Sequence, residues 1–216
     1  MELTWYGLAC FRISDRSLKV VTDPYGPDVG ITLPRLRADL VTISHHRPGH
    51  DYVRAVSGAR KIIDGPGEYE VGGVFITGIR TWHRGGRANG EPNTIFLFEY
   101  GDVTVCHLGD LGYVPKQEEI ELLGEVSVLL VPIGGHQTLN GAEAAEVVSL
   151  IEPAYVIPMH YALPGLTLSL EGLDKFLREM GVSEPKQMES LKVTSKSQLP
   201  EETEVILLHP RYQENG

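Results

Sequence analysis

Several segments with the short period of β-strands end, in this sequence, on a side chain able to ligate a metal. The run Asp39 to Ser44 leads into Ser44-His45-His46-Arg47-Pro48-Gly49-His50-Asp51, the segment through Thr81 into Trp82-His83, Asp102 to Cys106 into His107-Leu108-Gly109-Asp110, and Ala154 to Met159 into His160. Neutral imidazole and carboxylate suit zinc and other first-row divalent ions, and a site with three protein ligands leaves room for a water whose pKa falls toward neutrality. Any one histidine is more often a hydrogen-bonded core or surface residue. Their shared placement at strand ends, where loops from a sheet edge converge, marks them as one site.

The elements that must position them alternate in type along the chain. Strands are expected at Glu2 to Gly7, Cys10 to Ser14, Leu18 to Asp23, Asp39 to Ser44, Val74 to Thr81, Thr94 to Tyr100, Asp102 to His107 and Ser127 to Pro132, punctuated by Gly, Pro and Asp. Asn140 caps a helix through Ile151 with Glu143 placed for a capping box, and a second amphipathic helix is predicted from Ser169 to Met180, stopped by Gly181. Ala154 to Met159 and Thr203 to His209 complete the strands. The stretch Gly65 to Gly73 reads as turn and hairpin, lacking the Lys or helix start of a phosphate loop. Two sheets with helices outside them satisfy this order.

With 216 residues, the chain is expected to form a single domain over residues 1–216. Its 42% hydrophobic and 22% charged residues exclude a disordered or coiled-coil chain. Nineteen basic against 29 acidic residues, net −10, argue against nucleic acid as partner. Cys10 and Cys106 are too few for a disulfide scaffold and are expected as buried thiols. With neither a signal segment nor a long apolar run, a cytoplasmic location with no membrane partner is expected; self-association as a homo-oligomer stays open.

The order of a His-rich turn after an early strand, a lone His, a Gly-Asp turn and a lone His after a Pro resembles the metallo-β-lactamase superfamily of metal-dependent hydrolases. The resemblance covers nearly the whole chain, through Trp5-Tyr6-Gly7, Ala9-Cys10-Phe11, Thr22-Asp23-Pro24, His45 to His50, His83, Gly109-Asp110 and Val156-Ile157-Pro158-Met159-His160-Tyr161. It is nearest to the small stand-alone branch that includes ascorbate-6-phosphate lactonase. The resemblance implies an α+β fold, a four-layer αββα sandwich, with a metal site between the sheet edges. It also implies ligand roles: His45 and His83 on a first ion, His50 and His160 on a second, Asp110 bridging, and Asp23 orienting from behind. Zinc is the expected ion, with manganese or iron as alternatives.

One departure bears on all of this. The family's turn is His-x-His-x-Asp-His, whereas here its second His is Arg47 and its Asp is Gly49. Guanidinium stays protonated and offers only donors. A unit charge about 4 Å from a cation costs on the order of 4 kcal/mol at an effective dielectric of 20, comparable with about three decades of affinity. The sequence therefore predicts a metal-dependent hydrolase of a small anionic ester, lactone or phosphoester that holds one or two ions, with a reduced, mononuclear site left open by the losses in the turn. In that reading Asp110 and His50 are catalytic, and Arg47, His136 and Arg84 bind substrate. The alternative is an impaired member, without a metal, that binds a small anion through Arg47 and the surviving histidines. His46, Asp51 and His107 lie close enough in sequence to supply a replacement ligand, and Arg87 to join Arg47 and Arg84.

Overall fold

The computed structural model describes residues 1–214, so Asn215 and Gly216 of the expected domain lie outside the described residues. Two mixed sheets face each other. The smaller runs in the order Leu191–Lys192, Glu2–Trp5, Phe11–Ser14, Lys19–Thr22, Leu40–Thr42, Lys61–Ile63. The larger runs Lys186–Met188, Glu204–Leu208, Tyr155–Met159, Val128–Pro132, Val103–His107, Pro92–Tyr100, Val74–Trp82, Gly67–Val71. Gly72 and Gly73, at φ +60° and +77°, close the hairpin between the last two, as a tight turn with two left-handed residues requires.

This topology gathers the ligating residues at one rim. Val103–His107, Val128–Pro132 and Tyr155–Met159 are parallel, so their C-terminal ends open together toward Asp110, the 134–139 loop and His160. Val74–Trp82 is antiparallel to Pro92–Tyr100, itself antiparallel to Val103–His107; it therefore points the same way and delivers His83 there. In the smaller sheet Lys19–Thr22 and Leu40–Thr42 are parallel and in register, so Asp23 and the His45 turn emerge side by side. Val128–Pro132 is buried throughout, as its unbroken apolar run demands.

One apolar cluster, with Trp5, Phe11, Phe96 and Phe98, fills the space between the sheets and extends to Ala144, Val147 and Phe176 of the helices. A second, around Tyr25, Val29, Ile31 and Leu36, covers the outer face of the smaller sheet. The fold is thus the expected α+β sandwich, but the cover over the smaller sheet is built from 3-10 turns at Pro27–Val29 and Val53–Ala55 and from short strands. Both cysteines are buried and free.

Helix Gly141–Ile151 begins as predicted: Asn140 Oδ1 accepts from the amides of Ala142 and Glu143 at 3.0 and 3.2 Å, and Glu143 accepts from the Asn140 amide at 2.9 Å. The second helix is shorter than the periodicity predicts, covering only Asp174–Glu179. Tertiary pairing wins over the helical period, since the Glu171 amide donates to Gly134 O at 2.8 Å and Glu171 O accepts from the Ala162 amide at 3.0 Å. Gly172, a poor helix former, falls at the break. Gly181, at φ +68°, is the expected stop: its amide reaches Arg178 O, and that of Val182 reaches Leu177 O. Among the described residues no helix is long and apolar enough to cross a membrane.

Candidate metal centre

Asp110 is the centre of the rim. Its Oδ2 lies 3.7 Å from His45 Nε2 and 3.4 Å from His50 Nε2, and its Oδ1 lies 3.6 Å from His160 Nε2. Two groups have ligand atoms within 4.8 Å of one another and share this carboxylate: His45, His83 and Asp110, and His50, Asp110 and His160. The sequence-predicted ligands are therefore brought together in the pairs expected. All five are buried.

The hydrogen bonds behind them fix which nitrogen faces inward. Asp23 Oδ1 accepts from the Ser44 amide at 2.8 Å; its Oδ2 accepts from Ser44 Oγ at 2.5 Å and from His50 Nδ1 at 3.0 Å. With its proton given to Asp23, Ser44 Oγ accepts from His45 Nδ1 at 2.9 Å. Both rings thus present an Nε2 lone pair toward Asp110, the arrangement in which an outer carboxylate sets the tautomer of a metal-ligating imidazole. Asn93 secures the Asp110 turn, donating to Leu108 O at 2.9 Å and accepting from the Asp110 amide at 2.9 Å. Gly109, at φ +57°, leaves space in which a Cβ would collide with Asn93 Oδ1. Asp23, His136 and His160 are non-glycine residues at φ +39°, +53° and +52°, and such strained backbone collects at functional sites.

Among the described residues, His45 Nε2, both ring nitrogens of His83, His160 Nδ1 and Asp110 Oδ1 are buried without a hydrogen-bond partner. Buried polar atoms are rarely left so, and each costs about 1–3 kcal/mol unless something bonds it. Burial pushes the imidazole of His45 down to about 3, Asp110 and Asp23 notwithstanding, and lowers His83 and His160 as well. Burial alone would raise the Asp110 carboxyl, but the four imidazoles around it hold it well below the usual carboxylate range. His50 differs: burial opposes its charge, yet Asp110 and the hydrogen bond to Asp23 outweigh burial and raise it. Neutral imidazoles facing an ionised carboxylate with free lone pairs make a donor set that fits a divalent cation.

The other predicted residues divide. Arg47 and His136 both line the cleft of about 200 Å³ that opens onto His45, His50, Asp110 and His160. Arg47 is also bound to Glu91, with Nε and a terminal nitrogen each 2.6 Å from Oε2, so its charge is offset. Arg84 does not line the cleft. It clips two loops and a helix together, donating to His136 O at 2.9 Å, Thr138 O at 2.8 Å and both oxygens of Glu143. Arg87 sits in the short exposed helix Gly86–Asn89. His46 does not compensate for Arg47; it turns outward between Asp51 at 3.5 Å and Asp64 at 3.3 Å. His107 is a support: it bonds Ala9 O at 2.9 Å and accepts from the Gly109 amide at 3.1 Å. Gly49, at φ +101°, follows a path that strains an L side chain.

A larger cavity, about 590 Å³, lies beside Glu125, Glu152 and Glu201, and none of the three ligating groups is there. Sequence reading missed Ser44, Glu91 and Asn93 as site residues; Ser44, directly before His45, carried the only signal.

Residues 2–160 match a family described as the β-lactamase superfamily domain. A UPF0173 protein of Pyrococcus furiosus is 32% identical over 207 residues, covering 83% of this chain and 90% of its own. A UPF0173 metal-dependent hydrolase of Pyrococcus horikoshii is 43% identical over 100 residues, 44% of each chain. A solved structure of a metallo-β-lactamase superfamily protein from Thermotoga maritima is 36% identical, covers 97% of this chain and 99% of its own, and superimposes with a TM-score of 0.78. Igni18, a metallo hydrolase of Ignicoccus hospitalis, is 21% identical with a TM-score of 0.66, covering 89% of this chain and 99% of its own, and is similar in fold.

Proposed function

The chain belongs to the metallo-β-lactamase superfamily, and from that premise we propose that it is a metal-dependent hydrolase with a reduced site that takes one divalent ion at His45, His83 and Asp110. Zinc is the first candidate, with manganese or iron as alternatives. The observation that carries this reading is the set of buried ligand atoms left without a partner, three of which are His45 Nε2 and the two ring nitrogens of His83. A bound divalent cation supplies Lewis acidity, polarising a substrate oxygen and lowering the pKa of water toward neutrality.

The chain's own residues do the rest. His50, backed by Asp23 at 3.0 Å, holds and passes a proton at Nε2, which faces the cleft. Asp110 stays ionised, within 3.4–3.7 Å of His45, His50 and His160. Arg47 keeps N–H donors at the cleft wall for an anionic group, and Glu91 holds that guanidinium in one plane. Leu168 and Leu170 line the cleft with Arg47 and reduce water access. A cleft of about 200 Å³ suits a small substrate, which points to an anionic ester, lactone or phosphoester. The pairing of Arg47 with Glu91 weighs against the alternative, an anion binder relying on free positive charge.

The test is a screen of lactones and phosphomonoesters with protein loaded with zinc, manganese or ferrous iron. Turnover that stops on chelation and returns with the ion supports the proposal. Turnover unaffected by chelator, or none with any loaded form, contradicts it.

A further inference from the structure

A second cleft, about 380 Å³ in volume and sharing no lining residue with the histidine cleft, opens on the outer side of the smaller sheet. Its walls include Tyr6, Arg12, Arg35, Arg211, Tyr212 and Gln213, and among the described residues no Asp or Glu lines it. The three arginines come from distant segments. Arg12 belongs to strand Phe11–Ser14, Arg35 to the 33–35 loop before the short strand Leu36–Arg37, and Arg211 to the C-terminal segment, whose Arg211 amide is tied to Trp5 O at 3.0 Å. Strand Gln213–Glu214 pairs with Ile31–Thr32, and Tyr212 Oη donates to Pro164 O at 3.0 Å, so the third wall is anchored.

Three guanidiniums in one concavity need an explanation in a chain of net charge −10. Arg12 lies over the Tyr6 ring, 5.9 Å from its centroid, and its Nε is buried with no hydrogen-bond partner. Arg35 has no ion pair among those formed by the described residues, and Arg211 makes only loose contacts with Glu189, at 3.5 and 3.6 Å. Burial, with smaller contributions from Cys10 and Glu2, raises the Tyr6 hydroxyl above its ordinary value, against the pull of Arg12 and Arg211. A solvated patch would leave its donors to water; here one donor is withdrawn from water and left unbonded.

We propose that the Arg12, Arg35 and Arg211 cleft binds a small phosphate-bearing anion at a site separate from the hydrolytic centre. A dianionic phosphate has three terminal oxygens, each able to take a guanidinium fork, whereas one carboxylate would leave part of this charge unpaired. Tyr6 and Tyr212 give flat faces to the rest of such a molecule. The strongly acidic remainder of the chain disfavours a long polyanion, whose neighbouring phosphates would meet negative charge.

Isothermal titration of the full chain with inorganic phosphate and with pyrophosphate tests this. The expected result is saturable binding that weakens as salt rises, falls by about tenfold or more in the exposed-residue variant Arg35→Gln/Arg211→Gln, and is retained in Asp110→Ala. Arg12→Gln should give a similar loss, and if it does not fold the exposed pair still decides. The proposal is overturned by no saturable binding, by binding lost in Asp110→Ala but kept without the arginines, or by uptake of a single-stranded oligonucleotide without pyrophosphate.

Discussion

The two sides of Asp110 have the same residue types: His83 and His160 are alike in having a buried ring nitrogen without a partner, and the contrast lies between His50 and His45. On one side His50 is bonded to Asp23 at 3.0 Å and sits 3.4 Å from Asp110, an imidazole between two carboxylates. On the other, His45 presents an unpartnered Nε2 and His83 has no partner for either ring nitrogen. The sheets deliver both pairs to the rim in the same way, so the difference lies in how Asp23 reaches each turn histidine: His50 directly, His45 only through Ser44. A ring already held by a carboxylate is suited to carrying a proton, and rings held neutral with free lone pairs are suited to carrying a cation. Similar ligand lists can thus hide different work.

The comparison breaks most severely at the residue both sides share. Asp110→Ala should remove bound metal and lower kcat/KM by on the order of 10³, because it takes the one anionic ligand from the cation and one of the two carboxylates flanking His50; metal analysis and steady-state kinetics check it. Next, Asp23→Asn sharpens the contrast. Asp23 holds His50 directly and His45 only through Ser44, so the variant should cost about 10- to 100-fold in metal affinity, by competition against a chromophoric chelator, and should change the acid limb of the pH–rate profile. A purely structural role for Asp23 would lower the melting temperature and leave that limb in place.

A third effect appears in the metal-free protein. His45 takes its proton near 6.5 when unfolded but only near 3 when folded, so the unfolded state binds more protons between those values. Stability conferred by keeping His45 neutral is complete above pH 6.5 and is lost as pH falls toward 3, by about 1.4 kcal/mol per pH unit. His50, raised in the folded state, works in the opposite sense and loses its contribution as pH rises through its folded value. Denaturation of chelated protein from pH 7 to 4 should therefore show falling stability, with a shallower slope after His45→Gln. The smallest effect is expected at Arg84→Gln. Its bonds to Glu143 are partly exposed, so about 1 kcal/mol or less should be lost, with kcat/KM nearly unchanged; a large fall in kcat/KM would place Arg84 in the substrate cleft after all.

Much of the centre was legible because strand ends and ligand types coincide. His45, His83, Asp110 and His160 each follow a recognisable apolar strand, and parallel pairing then forces their ends together. What was not legible depends on contacts between distant segments. Arg84 looks like a free loop cation until Glu143 and two carbonyls are seen to hold it. Asn93 is one polar residue at the edge of an apolar strand, and its role exists only once Leu108 and Asp110 fold against it. Residues 169–173 carry a helical period, but Leu170 and Glu171 are drawn into loop pairing and the cleft wall instead. The arginine cleft is assembled from three segments that no local pattern connects.

The most direct measurement is metal content by elemental mass spectrometry on protein purified without chelator or affinity metal, for the wild type, His83→Ala and His160→Ala. The account predicts about one ion per chain in the wild type, nearly none in His83→Ala, and retention of most of it in His160→Ala. No metal in the wild type, or loss in His160→Ala with retention in His83→Ala, would contradict it.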